Sequence, residues 1–388
     1  MYDVREYVER KGTPMGKYSV VMEKDGTTKY YFIRNTETFG MELLPSKYLA
    51  HKIRSNRSPN TVRRSAFAIC YYLEYMDEKQ IELDGVYGLD YEAQYDYFLG
   101  FLNWLRRGNH KQKTEKCPNN GTCNAYLKDV FRFYLFLEMT NSRFGQLSVL
   151  STSQMTVPNA AGVKRTLRFK AFKGYLKEEE RKVRVAEKTE IMTILDACTN
   201  CRDQLLILLT AELGYRIGEI LGIDYTKDID YANHQIRVDF RDDNENDARA
   251  KNAEERDGKM SEDTFEFLLY YLSEYWDLLQ HQDYLFINIK GETQGKPMKA
   301  DSVYDMFERM EKKTKIKVTP HMLRRYFANS RWEAGWPLEL ISRALGHKHL
   351  DTTTRYLKVI DDRLKTASRD FYDRYSSLYG IQKLLDGR

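Results

Sequence analysis

The segment Leu205-Leu-Ile-Leu-Leu-Thr-Ala-Glu-Leu-Gly-Tyr-Arg-Ile-Gly-Glu-Ile-Leu221 is apolar over most of its length, yet it carries Arg216. A run of this kind belongs in a core. A guanidinium planted in it is costly unless the fold brings a partner to it. Glu219, three residues on, is the nearest candidate. Two readings follow. Arg216 is either one half of a plain buried ion pair, or a planar fork held in place by Glu219 and free to grip a phosphate with two hydrogen bonds.

The rest of the chain bears on that choice. Downstream lie His321-Met-Leu-Arg324, then Leu345-Gly-His347, then Thr352-Thr-Thr-Arg-Tyr356. His321 and Arg324 are three apart on a helix opened by Thr319-Pro320, so they share one face. A helix N-terminus adds a field that favours an anion. His347 follows Gly346, where a backbone turn can bring its ring toward a site. Each residue also has a structural reading, and with 29 tyrosines in the chain one more Tyr carries no information. The order and spacing carry it. A tyrosine hydroxyl titrates near 10 and is a poor nucleophile unaided. Arginines around it would favour the phenolate and make it usable. Two arginines, two histidines and a tyrosine in this order describe a phosphate clamp built around a tyrosine.

With 388 residues the chain exceeds one ordinary core, and two to three domains are expected. Hydrophobic residues make up 42% and charged residues 31%, which suits a globular protein. No run of about 18 apolar residues occurs, and the start lacks the apolar stretch of a signal peptide. The expectation is a bacterial cytoplasmic protein without a membrane partner. The net charge is only +5, so the distribution matters more than the sum. Basic residues concentrate at 51–64, 106–116 and 164–184, and acidic ones at 241–247 and 254–257. Such runs are also what solvated faces look like. Five cysteines, an odd number, argue against a disulfide framework. Cys198 and Cys201, with Cys117 and Cys123, would make four zinc ligands. The second spacing is loose for zinc, and Cys198 ends an apolar helical run, so no metal is expected.

The organisation reads as mainly α with small antiparallel β-sheets, in several domains. Residues 1–45 form an N-terminal appendage in which Lys17 to Arg34 alternates around the turn Asp25-Gly26, a hairpin signal. Residues 46–158 form a helical domain. One helix starts at Ser58-Pro59 and runs through Val62, Ala66, Ile69, Tyr72 and Leu73. A second opens near Thr122 and runs through Tyr126, Val130, Phe133, Tyr134 and Leu137. Arg63 and Arg64 lie off the first apolar face, and Lys128 and Arg132 off the second. Two basic-faced helices suit a grip on a DNA backbone. With Arg54 and Arg57, these are candidate DNA contacts. Residues 159–184 read as a basic linker carrying Lys164, Arg165, Arg168 and Lys170, which fits a chain that wraps a duplex. Residues 185–361 form a second, mostly helical domain, with strands expected at 235–240, near 249–260 and at 284–288. Its helices are expected at 187–197, 203–213, 217–222, 262–280, 301–313, 321–334, 337–345 and 350–357. Residues 362–388 form a C-terminal helix with Phe371, Tyr375 and Leu378 on one face.

The box Glu212-Leu-Gly-Tyr-Arg-Ile-Gly-Glu-Ile-Leu221, with His321-Met-Leu-Arg324, Leu345-Gly-His347 and Tyr356, resembles the conserved boxes of the tyrosine recombinases, the phage integrase family. The resemblance spans about 185–360. Over 46–155 it is to the family's helical core-binding domain, and over 1–45 to the arm-binding domains of some integrases. The resemblance implies a core-binding domain and a catalytic domain that together clamp DNA. It implies that Tyr356 attacks the scissile phosphate to give a 3′-phosphotyrosine and a 5′-hydroxyl. Arg216 and Arg324 would hold the non-bridging oxygens, His321 would assist proton transfer, and His347 would hydrogen-bond the phosphate. The family's catalytic lysine matches Lys251, with Lys259 as rival. At Arg325 the family often has His, a departure of little expected consequence. No cofactor is implied, because the phosphotyrosine bond conserves the energy of the broken phosphodiester.

Two other readings remain open. A type IB topoisomerase uses nearly the same residues but relaxes DNA as a monomer. A DNA-binding protein that has lost catalysis is the third. The implied partners are double-stranded recombination sites, a homotetramer on DNA through the C-terminal helix, and an accessory DNA-bending or directionality factor.

Overall fold

The computed structural model describes residues 16–26, 28–110, 117–158, 164–179, 184–239, 241, 244–246, 248, 255–354 and 356–357, with the side chains of 153–155, 157–158 and 164–170 left aside. The chain divides into two compact units, Met1–Arg181 and Lys182–Arg388.

The first unit begins with a hairpin, β1 (Tyr18–Asp25) and β2 (Thr28–Asn35), paired antiparallel from Tyr18–Asn35 to Asp25–Thr28. The turn expected at Asp25-Gly26 is there, and Gly26 takes the left-handed φ of 58°. The hairpin is not a separate appendage. Tyr31 and Ile33 are buried in one core with Leu49 of α1 (Leu43–Arg54) and Ile69 of α2 (Pro59–Lys79). Alternation on β2 sends these two side chains to the inner face. The expected apolar stripe of α2 is buried from Val62 to Leu73. Helices α3 (Tyr91–Arg106) and α4 (Asn120–Thr140) complete the bundle. The Asn119 side chain caps α4 by accepting from Thr122 N–H at 2.8 Å. The core is rich in aromatic rings, and the buried hydroxyls of Tyr72 and Tyr134 meet at 2.6 Å.

A second hairpin stands in place of the expected linker. Strands β3 (Thr152–Pro158) and β4 (Lys164–Lys170) pair from Thr152–Lys170 to Pro158–Lys164. The expected break at Pro158-Asn-Ala-Ala-Gly162 falls between these strands in sequence, and 159–162 lie outside the described residues. Interleaving of Lys and Arg with Leu167 and Phe169 is a half-apolar alternation, which a strand satisfies as well as a connector.

The second unit is helical around a small sheet. Helices α5 (Lys188–Ala197), α6 (Cys201–Leu213) and α7 (Ile217–Ile220) match the expected ones closely. An antiparallel sheet of β5 (Ile229–Asp230), β6 (Gln235–Val238) and β7 (Arg256–Lys259) has the order β5-β6-β7. The expected single helix over 262–280 is two, α8 (Glu262–Glu274) and α9 (Trp276–Leu279), interrupted at Tyr275. The strand expected at 284–288 is not formed. Tyr284 and Ile287 make only isolated bridges to Asp224 and Pro297. Then come α10 (Ala300–Thr314), α11 (Pro320–Glu333), α12 (Leu338–Leu345) and the short α13 (Leu350–Thr354). The C-terminal helix expected at 362–388 lies outside the described residues, as does Lys251. Among the described residues no helix is long and apolar enough to cross a membrane. None of their His, Cys, Asp or Glu side chains cluster in threes in a way that would hold a metal.

Candidate active site

Two glycine turns set the site. Helix α6 ends at Gly214, φ 66°, and α12 ends at Gly346, φ 59°. Each left-handed residue stops a helix, and Arg216 and His347 follow within two residues. A Cβ on Gly214 would lie 2.5 Å from the Phe327 ring, so the turn is also a close approach to α11.

Arg216 caps α7 at its N-terminal side. Its Nη1 donates to Glu219 Oε1 at 2.7 Å and its backbone N–H donates to Glu219 Oε2 at 2.7 Å. Its Nη2 donates to the Gly346 carbonyl at 3.2 Å. The pair with Glu219 exists, and the guanidinium side chain stays 24% exposed against 1% for the carboxylate. Burial pushes the Glu219 carboxyl up, but Arg256, Arg216 and Arg324 outweigh it and hold it below its usual range.

Arg324 is the opposite case. It is buried, on the inner face of α11. Its Nη1 donates to the Gly214 carbonyl, and its Nη2 donates to the Leu345 carbonyl at 2.6 Å. It thus bridges the two glycine turns. Burial first, and then Arg216, lower its titration to about 10, so it stays charged at neutral pH. Its Nε is buried with no hydrogen-bond partner among the described residues.

Tyr356, half-buried, sits between the histidines. Its ring meets His321 edge-on at 5.2 Å and His347 at 4.9 Å between centroids. The Arg324 and Arg325 guanidinium carbons lie 6.0 and 5.6 Å from its centroid. Asn329 Nδ2 donates to its carbonyl at 2.8 Å and fixes the segment. His321 is exposed at the start of α11. Desolvation, then the charges of Arg325, Arg324 and Arg216, bring its titration down to about 4. His347 is buried, and desolvation followed by Arg324, Arg216 and Arg256 takes it to about 3. Both rings are neutral at pH 7. The tautomer of His347 follows from its partners. Arginine only donates, so His347 Nε2 accepts from Arg324 Nη2 at 3.0 Å. Nδ1 then carries the hydrogen and donates to Thr353 Oγ1 at 2.9 Å.

One point thus gathers Arg216, Arg324, His321, His347 and Tyr356. The phage integrase family model matches residues 183–363. Transposase A from transposon Tn554 of Staphylococcus aureus is 29% identical over 343 residues, 84% of this chain and 90% of the relative. Tyrosine recombinase XerA of Saccharolobus solfataricus is 30% identical over 189 residues, 49% of this chain and 57% of the relative. Over residues 183–363 the chain matches the tyrosine recombinases, the phage integrase family. Its fold agrees. A solved lambda integrase dimer bound to a COC′ core site aligns with a TM-score of 0.55 at 12% identity, covering 81% of this chain and 93% of that one. The Tn1549 transposon integrase in complex with transposon right-end DNA aligns at 0.54 with 18% identity, covering 86% and 98%.

In this recombinase three contributors escape a motif search. Arg256 on β7 donates to Glu219 and, through Nε, to the Ala344 carbonyl at 2.9 Å. It lies in the same acidic stretch as the candidate lysine, which hides it. Thr353 is one of three consecutive threonines, and nothing in the sequence says which faces His347. Asn329 stands four residues after Arg325, so helical spacing alone would place it near that arginine. Arg325 is the position of little expected consequence. It lies by Tyr356 and is the leading charge opposing protonation of His321. Lys259, the rival to Lys251, is exposed on β7, where its backbone pairs with Gln235.

The candidate DNA contacts of the first unit fall into two groups. Arg54, Arg57 and Lys128 are exposed, and Lys128 lies 5.2 Å from the Tyr175 ring centroid. Arg63 covers the Phe67 ring at 5.8 Å. Arg64 and Arg132 are anchored: Asp129, fully buried, accepts from Arg64 Nε at 2.9 Å and from Arg132 Nη1 at 2.7 Å. Lys164, Arg165, Arg168 and Lys170 are on β4, and their side chains lie outside the description.

Proposed function

We propose that this recombinase performs site-specific DNA recombination for a mobile element, with Tyr356 as nucleophile. The observation that carries the reading is the placement of the Tyr356 ring against two neutral histidines and within 6.0 Å of Arg324. The tyrosine oxygen attacks the scissile phosphorus, and the bond from phosphorus to the 5′ oxygen breaks. A 3′-phosphotyrosine and a 5′-hydroxyl result. Neutral His321 takes the phenolic proton, a task its low titration suits at pH 7. Arg216 and Arg324 stabilise the charge on the non-bridging oxygens. The buried, unpartnered Nε of Arg324 supports that role, since a donor without a partner is costly unless a ligand completes it. Lys251 would protonate the leaving oxygen, with Lys259 as the alternative. A 5′-hydroxyl from a partner strand then reverses the chemistry.

The partners proposed are two double-stranded sites brought together by a homotetramer, in the cytoplasm of a bacterial host and with an accessory DNA-bending factor. The basic residues of the first unit and of β4 would contact the backbone, and 362–388 would dock on a neighbouring subunit. The test uses nicked suicide sites. Wild-type protein should form a covalent adduct and then strand-exchanged product, and Tyr356→Phe should bind the same DNA and form no adduct. An adduct of normal yield from that variant sinks the assignment. Relaxation of supercoiled DNA by a monomer, without exchange, would move the reading to a type IB topoisomerase.

A further inference from the structure

Arg256 holds the site together without facing the tyrosine. It lies outside every motif that led to the active site, on β7 of the small sheet. Its side chain is 8% exposed. Four contacts surround it. Nη2 donates to Glu219 Oε2, and Nε donates to the Ala344 carbonyl at 2.9 Å. The guanidinium covers the Tyr215 ring at 4.8 Å from its centroid. A Cβ on Gly346 would meet Arg256 Nη1 at 2.7 Å, so the glycine turn is packed directly on the fork.

Charge balance alone does not require this third arginine. Glu219 already has Arg216 at 2.7 Å, and Arg324 approaches to 3.9 Å. A third buried cation costs desolvation that must be offset by something it does. The contacts suggest what. Arg256 shares Glu219 Oε2 with the Arg216 backbone N–H, so the carboxylate is held from both sides. It also pins the end of α12, whose last carbonyls and following turn orient Arg216 through Gly346 and lead directly into His347.

We propose that Arg256 is a positioning residue for phosphoryl transfer: by sharing Glu219 and fixing the Ala344–Gly346 turn, it keeps Arg216 and His347 aimed at the scissile phosphate. This rests on the recombinase reading above. It touches neither the phosphate nor the nucleophile. A lysine there would keep the charge but could not serve Glu219 and Ala344 together in the same fork geometry.

The test compares wild type, Arg256→Lys and Arg256→Gln as full chains on suicide sites carrying either an ordinary or a methylphosphonate scissile linkage. Melting temperatures and DNA affinities are measured alongside. Both variants should bind DNA close to wild-type affinity. Arg256→Lys should cleave the ordinary linkage about 10- to 100-fold more slowly, the usual range for losing an orienting partner. The deficit should shrink on methylphosphonate, because the uncharged linkage asks less of Arg216. Arg256→Gln should show a deficit at least as large, also reduced on methylphosphonate. Cleavage at the wild-type rate would overturn the proposal, and so would an equal slowing on both linkages. Loss of the folded state in both variants would assign Arg256 to the core alone. Absence of any adduct from wild-type protein would instead sink the recombinase reading, so the two failures are distinguishable.

Discussion

Each unit surrounds a buried carboxylate with three cations, and the two solutions face opposite ways. In the first unit Asp129 is fully buried between Lys52, Arg64 and Arg132, and the two arginine side chains remain 46% and 54% exposed. In the second unit Glu219 sits between Arg216, Arg256 and Arg324, whose side chains are 24%, 8% and 2% exposed. The charges match, but their solvent access does not. Asp129 acts as a root from which two guanidinium groups reach into water, where they can meet a phosphate backbone at long range. Glu219 holds its arginines in a dry setting, where a preorganised donor acts most strongly on developing charge. Under the proposed function, the same arithmetic would serve a grip in one unit and a reaction in the other.

Removing the acids tests this contrast most severely. Glu219→Ala leaves Arg324 and Arg256 buried without a carboxylate and should destabilise its unit by about 3–5 kcal/mol, the cost of orphaning a buried charge. Asp129→Ala should cost less, because Arg64 and Arg132 can turn to solvent and only Lys52 stays buried. Denaturant unfolding of the full chain, followed by probes in each unit, reads both. Equal losses would mean that the two nodes are not different in kind.

Next comes catalysis. Arg324→Ala should lower single-turnover cleavage by about 100- to 1,000-fold, the scale for losing one oriented donor. DNA affinity should change little, because this side chain is 2% exposed and the affinity resides in many surface cations. If affinity collapsed while cleavage per bound complex stayed normal, Arg324 would belong with the grip. Arg64→Ala and Arg132→Ala should do the reverse. Each should leave cleavage per bound complex unchanged and reduce the salt dependence of binding by about 0.9 in the logarithmic slope. An unchanged slope would show that Asp129 holds these arginines for stability rather than for DNA.

The two nodes also differ in how far they can be read from sequence. Arg216 and Glu219 are legible because a charge pair inside an apolar run is costly to bury and so stands out. The helices of the second unit are legible for a similar reason. Thr319-Pro320 opens α11, and Gly214 and Gly346 stop α6 and α12. Asp129 is not legible. It lies between Lys128 and Val130 on a helix whose polar face looks solvated, and nothing local says that Arg64 and Lys52 pack over it. Arg256 is hidden likewise, because its partners come from positions 219 and 344. Long-range pairing of ordinary charged residues leaves no period and no motif. Strand β4 escapes on different grounds: its basic residues read as a connector, and only pairing with β3 makes them a strand.

The smallest expected effect concerns protons, and it too should separate the two units. His347 and His321 titrate at about 3 and about 4 in the folded protein, below the usual 6.5. Their folded values are lowered, so below pH 6.5 the unfolded chain binds more protons than the fold. Stability should be flat above that point and fall as pH drops from about 6.5 toward 4. Glu219, also held low, adds its own loss only at more acid pH, through and below the usual carboxylate range. Between pH 6.5 and 5 the histidines therefore act alone in this site. His347→Gln offers a carbonyl oxygen to Arg324 and takes up no proton, so its denaturation midpoint should decline less over that window than the wild type's. Probes in the first unit should not register the difference, because the Asp129 node contains no histidine. An identical decline in variant and wild type would mean that His347 accepts a proton beside Arg324 before the fold is lost. The neutral ring, donating to Thr353 and accepting from Arg324, would then not be its resting state.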